Sequence, residues 1–81
     1  MTATKDVIRQ WLKDAPAGST HMVVAADTWD VDWEYYPVYV EAGIQAALEK
    51  IGIDPNAKVV EVYDLSKQVE PQLEERRAWN L

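Results

Sequence analysis

Eighty-one residues carry 14 Asp and Glu against 8 Lys and Arg, a formal net charge of -6. A chain of that length makes one domain, 1–81, and buries only roughly two thirds of its unfolded surface, enough for one thin core. The absence of cysteine excludes a disulfide scaffold, a thiolate zinc site and a cysteine nucleophile. The acidic balance argues against direct nucleic-acid binding, which relies on Lys and Arg displacing counterions.

The first residues, Met1 to Asp6, lead into an amphipathic pattern with no apolar signal core, and no run approaches the ~20 apolar residues that span a bilayer. The expectation is a cytoplasmic protein with no membrane partner. Thr4 caps a first helix whose Val7, Ile8, Trp11 and Leu12 share a face, with Asp6 in the first turn and Pro16 and Gly18 as stops. Thr20 to Asp27 is then an apolar run of strand length, too continuous for a strand with one wet face, and so a central strand covered on both sides. After a connection over 27–34, Tyr35 to Val40 forms a second strand. Pro37 has no amide hydrogen and places this strand at an edge or at a bulge. Alternation sets Tyr35 and Tyr39 on one face and Tyr36, Val38 and Val40 on the other.

Ile44, Ala47, Leu48 and Ile51 follow at helical spacing, and Gly52 is expected to end that helix in the left-handed conformation. Asp54-Pro55-Asn56 turns the chain. In the third strand, Lys58 to Tyr63, alternation groups Val60 with Val62 and sets Val59, Glu61 and Tyr63 opposite. Pro71 fits the first position of a last helix running to Trp79, with Leu73 inward. The order α-β-β-α-β-α describes an α+β fold: a small, three-stranded, mainly antiparallel sheet with helices packed on it.

Residues 27–41 stand apart. They hold five carboxylates (Asp27, Asp30, Asp32, Glu34, Glu41) and five rings (Trp29, Trp33, Tyr35, Tyr36, Tyr39), and no Lys or Arg occurs between Asp14 and Glu49. Trp and Tyr anchor interfaces because each offers a large rigid area with a polar tip. Some of these rings can equally complete a thin core, since the chain has no Phe. An uncovered aromatic face on the second strand would serve a target or a homodimer contact.

The segments Thr20-His21, Asp27-Thr28-Trp29-Asp30, Tyr36-Pro37-Val38-Tyr39-Val40, Glu61-Val62-Tyr63-Asp64-Leu65-Ser66 and Gln72-Leu73-Glu74-Glu75-Arg76-Arg77-Ala78 give the chain a resemblance. It resembles a group of small proteins encoded by bacteriophages and prophages, over roughly residues 5 to 80. The junction between the Asp-Thr-aromatic-Asp and Tyr-Pro-Val-Tyr-Val pieces is longer here, with a pair such as Trp33-Glu34 inserted. The resemblance implies a source and a habit, the binding and blocking of a host protein in the host cytosol, and supplies no catalytic residues.

The same residues bear on other chemistries. Asp27, Asp30, Asp32 and Glu34 are hard-cation ligand types, yet only Asp30, Asp32 and Glu34 alternate and Trp33 stands near where a calcium loop needs glycine, so a solvated acidic rim is the simpler reading and no metal or cofactor is expected. Asp27 is the candidate for a shifted carboxyl in a hydrolase. His21 lies six residues upstream, ~20 Å away along an extended strand, too far for a dyad. Ser19 and Ser66 sit in no nucleophile motif, and no phosphate loop is present. The expectation is therefore a non-enzymatic inhibitor. It uses Asp27, Trp29, Asp30, Asp32, Trp33, Glu34, Tyr36 and Tyr39 to engage a host protein with a basic surface, a defence or nucleic-acid-handling factor being the kind of target in view. The alternatives are a protein that sequesters a nucleotide or other small molecule by ring stacking, and a metal-assisted hydrolase.

Overall fold

The structure, a computed structural model, describes residues 4–29, 31–41 and 43–75. Asp30, Arg76, Arg77 and Trp79, to which the sequence assigns roles, lie outside the described residues. The chain runs α1 (Lys5–Lys13), β1 (His21–Asp27), β2 (Glu34–Val40), α2 (Ile44–Ile53), β3 (Ala57–Asp64) and α3 (Val69–Glu75). The sheet order is β2-β1-β3, with both pairings antiparallel. This is the α+β arrangement expected from the sequence.

The apolar run sits in the middle of the sheet because both of its faces are covered. Met22, Val24 and Ala26 pack with Ile8 and Leu12 of α1, Tyr63 of β3 and Leu73 of α3. Val23 and Ala25 point the other way, into a smaller cluster with Val40 and Ile51 of α2. Met22 to Ala26 are all fully buried, as expected of a strand between two helical layers. β2 is an edge strand, with Pro37 opposite Val24. Its alternation holds: Tyr35 and Tyr39 join the α1 side, while Tyr36 and Val38 join the α2 side.

The helix boundaries follow their termini. The Thr4 side chain accepts a hydrogen bond from the Val7 amide at the start of α1. α2 begins after Gly43, whose φ of 73° is left-handed, and it passes through Gly52 to Ile53, so the expectation that Gly52 ends it is incorrect. The stop lies at Asp54, where the backbone turns extended ahead of Pro55, as the residue before a proline prefers. α3 begins at Val69, two residues before Pro71. The first turn lacks intrahelical partners for its amides, so a proline there costs little.

The expected face assignment within β3 also needs correction. Val24 pairs with Glu61 but Ala25 pairs with Val59, so Val60 is an extra residue in the ladder. That bulge turns Val60 to the α1 side with Tyr63, whereas Val62 lies on the α2 side, because one inserted residue reverses the pleat.

α3 is held by a buried polar side chain. Gln72, 3% exposed, accepts from the Asp64 amide at 2.8 Å and donates to the Asp64 carbonyl at 2.6 Å. A side-chain amide thus pairs with the last residue of β3 as a neighbouring strand would. Outside it, Arg9 donates to both carboxylate oxygens of Glu70 at 3.0 Å, and Lys5 pairs with Glu74. These exposed pairs tie α1 to α3 but contribute little individually.

Candidate functional site

The acidic, aromatic stretch begins at one end of the sheet, where β1 hands over to β2. Asp27 and Glu34 are directly opposite each other in the register, so the connection over 28–33 closes a hairpin. It is pinned at its root: the Thr28 amide and hydroxyl both donate to the Asn56 carbonyl, at 2.6 and 2.9 Å. Asn56 in turn donates its amide to the Asp54 carboxylate at 2.9 Å. The Asp27 carboxylate accepts from the Trp29 amide at 3.0 Å, a local turn of the kind aspartate favours. The carboxylate proposed as a hydrolytic group is thus engaged in shaping the loop.

The consequence is outward projection. Trp29 is 78% exposed and Val31 is 93% exposed, with Asp27, Asp32 and Glu34 exposed around them. Trp33 turns back. It packs on the α1 side of the core, and the Lys58 ammonium stands 5.3 Å from its ring centroid, within range for a cation–π interaction. Lys58 comes from β3, opposite Ala26. A basic residue distant in sequence therefore reaches the acidic stretch.

The other rings separate according to strand parity. Tyr35 is buried in the α1-side core. Tyr39 lies on the same side, half-buried, and its hydroxyl donates to the Trp11 carbonyl at 2.6 Å. Trp11 is in the last turn of α1, where carbonyls have no helical donor, so Tyr39 completes that helix end. Burial pushes the Tyr39 phenol above its ordinary pKa, and Asp14 adds to the rise. Tyr36 faces the α2 side. The residues singled out in the sequence therefore occupy three places: Asp27, Trp29, Asp32 and Glu34 at the hairpin end, Trp33 and Tyr39 against the α1 layer, and Tyr36 beside α2. Two residues that the sequence reading passed over belong with them. Val31 is an apolar side chain isolated between Asp30 and Asp32, which was the available signal, whereas nothing local marked Lys58.

His21 lies at the far end of β1 from Asp27, opposite Asp64, with its Nδ1 3.0 Å from the Thr20 hydroxyl. The Asp64 carboxyl is held below the ordinary aspartate range, first by the Ser66 hydroxyl, then by the Ser66 amide, with His21 and Lys67 adding positive charge. Among the described residues no group of three or more His, Asp or Glu side chains is placed to hold a metal ion. No helix among them is long and apolar enough to cross a membrane. Comparison of the chain with protein families, with curated proteins and with solved structures finds no match.

Proposed function

We propose that this protein is a small acidic binding protein of phage type that engages a host protein through the β1–β2 end of its sheet and thereby inhibits it. The observation that carries the reading is the exposure of Trp29, 78%, on a loop anchored by Asp27 and Thr28. A tryptophan held out of a thin core forgoes burial that would contribute on the order of 2–3 kcal/mol to folding, and rigid exposed Trp is the residue type that most often dominates an interface. Val31 extends the apolar tip. Asp27, Asp32 and Glu34 are exposed in the same segment, suiting a pocket rimmed by Lys and Arg, where opposite charges speed encounter and fix register. The resemblance to small phage proteins supplies the host origin of the partner and the inhibitory outcome.

The test is affinity capture from a bacterial lysate with three baits: wild type, Trp29→Ala, and the double variant Asp30→Lys with Asp32→Lys. A host protein retained by wild type, released by both variants and impaired in its own activity by the purified wild-type chain is the expected result. A prey held equally by all three baits removes the hairpin end from the interaction.

A further inference from the structure

A second surface lies along the free side of β2 and does not depend on the hairpin end. α2 leaves Gly43, next to the Val40 end of β2, and its far end leads through Asp54 into Ala57, which shares a register row with Asp27 and Glu34. α2 therefore runs antiparallel to β2. Between them is a groove of about 640 Å³ lined by Tyr36, Val38 and Val40 on the strand side and by Ala47, Lys50, Ile51 and Asp54 on the helix side.

Both walls are regular. The strand residues alternate, and Ala47, Lys50 and Ile51 are spaced three and four apart on one face of the helix, with Asp54 following as its cap. The strand wall is ~13 Å long at 3.3 Å per residue, about four residues of extended chain, and the helical wall from Ala47 to Ile51 is ~6 Å at 1.5 Å per residue. Tyr39 also lines the groove, although its ring is on the opposite face with its hydroxyl on Trp11. What Tyr39 presents to the groove is therefore main chain, and the groove reaches the backbone edge of β2 that has no neighbouring strand among the described residues.

We infer that this groove binds an extended peptide segment of a partner protein, which lies beside β2 as an added strand. Charge selects the segment. Glu41 and Asp54 mark its two ends and Lys50 stands on the helix wall between them, so the complementary segment has uncharged, apolar residues at its centre and Lys or Arg flanking them. Pro37 has no amide to offer, so the incoming strand acts as a donor to β2 carbonyls more than as an acceptor.

The probe is a fluorescein-labelled peptide of alternating valine and threonine with one arginine at each end. Its control is the same peptide N-methylated at alternate residues, which keeps charge and apolarity and removes half of the donors. Anisotropy should give binding at least about tenfold weaker for the control, the cost of one or two lost hydrogen bonds. Amide shifts should move at Tyr35, Tyr36 and Val38 to Val40 and at Ala47 to Ile51. Ala47→Leu, which fills the groove with a good helix former, should weaken binding as much. Trp29→Ala should bind the peptide like wild type, so that failure of the hairpin reading and failure of this one are told apart. Equal binding of the two peptides, shifts confined to residues 27–34, no binding at millimolar peptide, or a nucleotide such as ATP moving Tyr36 and Lys50 where the peptide does not would each overturn the assignment.

Discussion

Gln72 offers the sharpest test of how the fold is held. Leucine at this position keeps close to the same volume but removes the acceptor for the Asp64 amide and the donor to the Asp64 carbonyl, bonds of 2.8 and 2.6 Å around a side chain that is 3% exposed. At about 1 kcal/mol net per hydrogen bond, and more where a backbone group is left dry, Gln72→Leu should cost ~2 kcal/mol. A domain of 60–100 residues loses about 4–8 °C of Tm per kcal/mol, so a fall of roughly 8–16 °C is expected. Gln72→Glu sharpens the test. Its carboxylate still accepts from the Asp64 amide but faces the carbonyls of Asp64 and Gln68, to both of which the native amide donates. It should therefore cost more than leucine at neutral pH; burial against two carbonyls raises the folded-state pKa of this carboxyl, so the deficit should shrink as pH falls towards the ordinary glutamate value of ~4.3, as protonation restores one donor. Urea denaturation at several pH values reads both effects as shifts in midpoint at constant slope. A leucine variant within ~0.5 kcal/mol of wild type, the usual range for inconsequential surface changes, would refute the pairing; so would a glutamate variant whose deficit ignores pH.

Other expectations follow from single contacts. Tyr39→Phe deletes the donor to the Trp11 carbonyl and should lower stability by ~1 kcal/mol in urea denaturation, while leaving host-protein capture unchanged if the hairpin end alone makes the contact. Gly52 is helical with open space where a Cβ would stand, so Gly52→Ala should raise stability by ~0.5–1 kcal/mol in the same assay. Gly43→Ala meets equally open space but a φ of 73°, so it should lower stability by ~1 kcal/mol through backbone strain alone. Asp64 titrates below its ordinary value; its contribution is present above the unfolded-state value and is lost as pH falls through the folded one, so Asp64→Asn should flatten the acid limb of stability below pH ~4, measured by thermal melts against pH.

The sequence was most legible where one physical requirement acted alone. Met22 to Ala26 could be assigned to a two-sided central strand because five consecutive apolar residues admit few other solutions, and the parity of Tyr35 to Val40 followed from a period of two that no insertion disturbs. Val60 and Val62 part company because a bulge displaces one residue without leaving a compositional trace. Gly52 does not stop α2, because glycine permits a left-handed stop without requiring one, and the extended backbone before Pro55 ends the helix instead. In the acidic stretch, composition identified the segment but could not give directions. Trp29 and Trp33 are four residues apart in one loop, yet the Asp27 turn sends Trp29 outward, whereas the core and Lys58 from a distant strand receive Trp33.

The layering limits where this domain can meet another molecule. With α1 and α3 on one face of the sheet and α2 on the other, β1 has no exposed face, and the outer side of the α1–α3 layer carries the Arg9–Glu70 and Lys5–Glu74 pairs. Recognition by the sheet is then confined to its ends and its edges. At the edge formed by β3, the last residue is already paired with Gln72. At the edge formed by β2, Pro37 removes one donor, and the end after Asp27 holds an outward tryptophan on a turn fixed by three hydrogen bonds. A thin three-stranded core cannot leave apolar area uncovered without a loss of stability, so the apolar surface exposed at these two places is where burial by another molecule would recover the most.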